Sequence, residues 1–165
     1  MKHALLTLAL LPLACASNAA AAPDAPSRPA AHADSCSAAG AVVFEIDHRV
    51  NPGAKLATST VKVFASGAWT RDEIDGDGKA AARRTGCIAK PELKQLETTL
   101  SGATWKVETA RMHCMAFSAE FTEYQVNGKL VFTQRLCSGL SLDANSRAKL
   151  DAAIATVDGE LAKAP

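Results

Sequence analysis

Asn127-Gly128 narrows the possible folds more than any other stretch of this chain. The pair supplies the two positive-φ positions of a tight two-residue turn, and apolar residues alternate on both sides of it, so it specifies an antiparallel hairpin. Counting outward from the turn sets Glu120 opposite Arg135 and Thr122 opposite Thr133 on one face. Phe117, Ala119, Phe121, Leu130, Phe132 and Leu136 then share the other face, which reads as the buried one.

The rest of the chain from Ala41 supplies partners for that hairpin. Val42, Phe44 and Ile46 alternate with Val43, Glu45 and Asp47 as in a half-buried strand, ended by Asn51-Pro52-Gly53. Thr58 to Ala65 reads as a second strand with Val61 and Val63 inward, and Trp69 to Ile74 as a third, closed by Asp75-Gly76-Asp77-Gly78. Pro91 suits a first helical position, Glu92 complements the positive helix end, and Leu93, Leu96 and Leu100 repeat at helical spacing before Gly102. Trp105 and Val107 open a further strand. A last helix starts at an Asp143 cap and runs to Leu161, with Leu150, Ala153, Ile154, Val157 and Leu161 along one stripe and Asp143, Arg147 and Asp151 as spaced charges on the exposed side. The expected fold is α+β: an antiparallel sheet of about five to six strands with two helices packed on one face.

Ahead of this domain the texture differs. Residues 1–22 read as a bacterial-type signal peptide, with Lys2 and His3 before an apolar run from Ala4 to Ala14 that is too short to span a bilayer. Ala14-Cys15-Ala16 and Ala20-Ala21-Ala22 both fit ordinary cleavage. Leu13-Ala14-Cys15 also resembles the end of a lipobox, in which Cys15 would carry a lipid, but Pro12 and Leu13 fit that pattern imperfectly. Residues 23–40, with prolines at 23, 26 and 29, read as a disordered Ala/Pro-rich spacer, and residues 41–163 as the single domain.

Export implies an oxidising compartment, so Cys36, Cys87, Cys114 and Cys137 are expected to form disulfides. In the hairpin register Cys137 lies opposite Ser118, four residues and about 13 Å from Cys114, which disfavours that pair. The first helix and the strand returning beside it bring Cys114 near Cys87, so the expected pairs are Cys87 with Cys114 and Cys36 with Cys137.

Four groups of residues invite a chemical reading. Met112-His113-Cys114-Met115 collects soft-metal ligand types, but neighbours on a strand point to opposite sides and cannot converge. Glu73, Asp75, Asp77 and Gly78 imitate the start of a calcium loop, whose twelfth position, normally Glu, is Arg84. Among His32, His48 and His113, His48 is the one placed to act as a base, although Asp47 faces the other side of its strand and no nucleophile signature accompanies it. Arg83-Arg84 reads as a solvated pair in a polar connection, and Trp69 as a core residue more readily than a partner anchor.

Charge limits the function further. Removing a leader with one lysine and no acid leaves bases and acids equal in number, so the domain has no electrostatic footprint for nucleic acid, and membrane contact would come only through a lipid on Cys15. The reading is therefore an exported, disulfide-stabilised envelope protein, a non-catalytic binding or structural module. It would be monomeric and without cofactor, metal or catalytic residue, with a protein or small molecule as its ligand. The alternative is a small exported hydrolase using His48.

Overall fold

The structure, a computed structural model, describes residues 36–50, 57–109 and 119–164, all within one unit of the chain. The signal-peptide reading, most of the spacer, Cys15, Cys114 and the Met112–Met115 cluster lie outside these residues.

Six strands form one antiparallel sheet: β1 (Val42–Val50), β2 (Ala57–Phe64), β3 (Ala68–Ile74), β4 (Ala80–Cys87), β6 (Phe121–Val126) and β7 (Lys129–Arg135), in the order β4-β3-β2-β1-β6-β7. Two short strands, β5 (Val107–Thr109) and β8 (Leu140–Leu142), pair separately. Two helices complete the α+β fold, α1 (Lys90–Ser101) and α2 (Ala144–Leu161).

Cross-strand register puts Phe44 beside Val63 and Val126, Val63 beside Trp69, and Tyr124 beside Phe132, so these side chains share one face. That face meets Leu96 and Leu100 of α1 and Leu150, Ala153 and Val157 of α2 in a single core. Alternation along each strand and the leucine spacing of the helices therefore serve the same layer. The opposite face is polar and knitted by charges: Glu45 with Lys62, Asp72 with Arg83, and Asp47 with Arg49, whose Nε donates to Asp47 Oδ2 at 2.9 Å.

The hairpin closes at Asn127 (φ 51°) and Gly128 (φ 72°), as the dipeptide demands. Beside the turn, Gln125 faces Leu130 and Val126 faces Lys129, but the register shifts between Tyr124 and Gln125. Beyond that bulge Phe121 faces Arg135 and Thr122 faces Gln134, one residue away from the straight count. A one-residue slip exchanges the faces. Tyr124 and Val126 are consequently the inward pair, whereas Leu130 and Leu136 are 58% and 66% exposed. Phe121 lies on the polar face between the guanidinium groups of Arg49 and Arg135, 5.5 and 5.0 Å from its ring centre. Phe132 alone of the expected inward set is buried among the described residues, and Phe117 lies outside them.

The connection carrying Arg83-Arg84 is a strand. β4 pairs with β3 along its length, from Ala68 opposite Cys87 to Ile74 opposite Ala80. Its side chains are exposed apart from half-buried Gly86, so an edge strand of this kind carries no apolar alternation to announce it. This strand corrects the cysteine pairing. It returns Cys87 to the end of the sheet where the chain enters β1, and Cys36 is bonded to Cys87 with a Cα separation of 5.9 Å. The expected pairs Cys87 with Cys114 and Cys36 with Cys137 are both overturned. Ser66 Oγ also donates to the Ser37 carbonyl at 2.5 Å, which ties the segment before β1 to the β2–β3 turn. Cys137 is disulfide-bonded too. It stands in a turn at φ 67°, past the end of β7, so the strand geometry used to place it does not apply there.

Tyr124 gives the core a measurable pH dependence. Burial raises its phenol above the ordinary tyrosine range. The neutral form is thus favoured in the folded chain, and the associated stability is complete below the unfolded pKa of about 10 and is lost as pH rises through the raised folded value. Tyr124 is the chain's single tyrosine, so absorbance of the tyrosinate reports it alone. The expected result is a tyrosinate midpoint above that of the urea-unfolded chain, with unfolding midpoints that fall more steeply above about pH 10 than in Tyr124→Phe. Equal slopes in the two proteins would contradict the burial argument.

Candidate functional site

A cleft of about 480 Å³ opens where the outer ends of β6 and β7 meet β8 and the first turns of α2. Thr122, Phe132 and Gln134 line it from the sheet, Leu136 from the turn, Leu140 and Ser141 from β8, and Arg147 from α2. Glu120 and Arg135 stand at it as well.

The helix is anchored so that Arg147 is held at the cleft. Asp143 caps α2, its Oδ1 accepting from the Ser146 backbone N–H at 2.7 Å; hydrogen bonding by Ser146, first through its side chain and then through this N–H, holds the carboxyl below its usual range. Fully buried Ser146 fastens the same turn to the chain before β5: its Oγ accepts from Lys106 N–H at 3.0 Å and donates to the Thr104 carbonyl at 3.2 Å. The next residue, Arg147, is half-buried, with its guanidinium carbon 5.6 Å from the Phe132 ring centre. It makes no ion pair among the described residues, whereas Asp143, read from the sequence as its spaced charge partner, is engaged as the cap. A stacked, partly desolvated guanidinium with open donors is ready to donate to a carboxylate. The signal for this was present: extending the apolar stripe of α2 one turn back from Leu150 lands on Ser146 and Arg147.

Behind the cleft wall sits His48. Its Nδ1 lies 2.9 Å from Thr122 Oγ1 and its Nε2 lies 3.5 Å from Glu120 Oε1. Asp47 points to the opposite face, where it accepts from Arg49 and from Thr60 Oγ1. Tyr124 Oη donates to Gln134 Oε1 at 3.2 Å.

The remaining sequence candidates are dispersed. Asp75 Oδ1 accepts from the backbone N–H groups of Asp77 and Lys79, so it shapes its own turn, and Glu73 pairs with Arg71 at 2.9 Å. Trp69 is 2% exposed and belongs to the core. Arg83 meets Asp72, while Arg84 is exposed on β4 opposite Arg71. Among the described residues no group of three or more His, Cys, Asp or Glu side chains is arranged to hold a metal. Within the same residues no helix is long and apolar enough to cross a membrane. No protein-family model, curated protein or solved structure matches the chain.

Proposed function

We propose that the protein is an exported, disulfide-stapled binding module whose ligand sits in the cleft between β7, β8 and α2. The observation that carries this reading is Arg147, held at the cleft over Phe132 without a carboxylate partner among the described residues. The leader-like residues 1–22 and the Cys36–Cys87 bridge support export, since such bridges persist in oxidising compartments. A lipid on Cys15 would tether the module to the envelope, and ordinary cleavage would release it. A screen of small molecules and short peptides by ¹H–¹⁵N spectroscopy tests the site. Ligands are expected to shift the amides of Thr122, Gln134, Ser141 and Arg147 and, at a hundredfold excess over Kd, to stabilise the fold by about 2.7 kcal/mol. Hits that map only elsewhere would reject the cleft.

A second reading rests on the Thr122–His48–Glu120 chain, which places a hydroxyl and a carboxylate at the two ring nitrogens of one histidine. In that reading the protein is a small hydrolase. Turnover of activated esters that is lost in both His48→Ala and Thr122→Ala would favour it over the binding module.

A further inference from the structure

We infer that the occupant of the cleft is an extended, acidic peptide segment that adds as a strand to the outer edge of β7 and sets a carboxylate against Arg147. This deepens the binding reading and rests on it.

β7 is the last strand of the sheet and pairs only with β6 among the described residues. Among the described residues no backbone hydrogen bond runs from Leu130–Gln134 to any segment but β6, so alternate N–H and C=O groups are presented outward. Strand addition supplies those bonds, and side chains at alternate positions of the added strand enter whatever pockets flank the edge. Here the flank is apolar and cationic. Of the five large apolar residues clearly exposed among the described residues, Leu136 and Leu140 line the cleft and Leu130 stands at the hairpin end of β7. Arg147 is stacked on Phe132 on the core-side face of β7, Arg135 is stacked on Phe121 at the cleft's rim on the other face, and the acid lining the cleft is Glu120, beside His48. A peptide alternating apolar and acidic residues satisfies all three features together. The other edge, β4, offers alanines and an Arg pair whose Arg83 is engaged by Asp72, and the hollows beside its far end are lined by Glu160 together with Lys163.

The test uses the purified protein with its disulfides intact and three end-blocked pentapeptides in which valine alternates with glutamate, glutamine or lysine. The glutamate peptide is expected to shift the amides of Leu130–Gln134 and Arg147, slow hydrogen exchange along β7, and bind about tenfold more tightly than the glutamine peptide. Arg147→Gln is expected to bring that ratio near one, and Arg147→Lys to restore part of it, with both variants still unfolding cooperatively in urea. Equal binding of the glutamate and glutamine peptides, shifts confined to β4, or self-association through β7 would overturn the inference. If small carboxylates such as hexanoate shift the cleft and no peptide does, the inference fails while the binding reading stands. If no probe shifts the cleft, both fail.

Discussion

Replacing Cys36 and Cys87 together by serine is expected to lower the unfolding free energy by about 4 kcal/mol, the chain entropy that a bridge spanning 51 residues removes from the unfolded state. The bridge closes a loop containing β1, β2, β3 and β4, four of the six strands of the main sheet. Those strands meet by successive antiparallel pairings, and β4 is held by β3 alone among its neighbours in the sheet. Without the bridge, β4 and the segment entering β1 are free to separate from the end of the sheet. Against a typical domain stability of about 5–15 kcal/mol, such a loss is a large share of the whole. Urea unfolding of the double variant isolates this bridge, because reductant would also open the disulfide at Cys137. A change of less than about 0.5 kcal/mol, the size of an ordinary surface substitution, would contradict the assignment.

Trp69→Ala is expected to cost about 3–5 kcal/mol, as deletion of a fully packed aromatic core side chain does. The indole is 2% exposed and is seated across the backbone of β4, where its cross-strand partner is Gly86. A Cβ on Gly86 would lie 2.6 Å from Trp69 Cζ2, closer than atoms can approach. Gly86→Ala must therefore displace the indole, at an expected cost of about 1–3 kcal/mol, and move its fluorescence to longer wavelength. The pair should also be coupled: once Trp69 is alanine, Gly86→Ala is expected to cost almost nothing, which a double-mutant cycle in urea reads directly. Independent, additive losses would show that the ring does not cover Gly86.

These residues also indicate what was legible in the chain. Helix limits were readable because Pro91, Gly102 and the Asp143 cap are local chemistry, and β1 and β2 because their inward residues alternate. The hairpin turn was readable for the same reason. Its register was not, because a bulge between Tyr124 and Gln125 is set by how the strand meets β1 and the helices, with no residue that requires it. β4 was invisible because an exposed edge strand needs no apolar pattern, and missing it misplaced Cys87 and with it the disulfide pairing. His48 was legible as a lone candidate, but its partners Thr122, on β6, and Glu120, just before it, come from more than seventy residues away. Arg147 was read as a charge on the exposed side of its helix, whereas it is half-buried over Phe132, because it lies one turn before Leu150 at the margin of the apolar stripe.

The proposed export and the bridge are tested most directly by the intact mass and non-reducing peptide map of the protein taken from cells that make it naturally. The account predicts a chain beginning near Pro23, or at a lipid-bearing Cys15, with a peptide joining Cys36 to Cys87 and no free thiol at Cys137. A chain that keeps Met1 and has free thiols at Cys36 and Cys87 would contradict both the export and the bridge on which the fold is argued to depend.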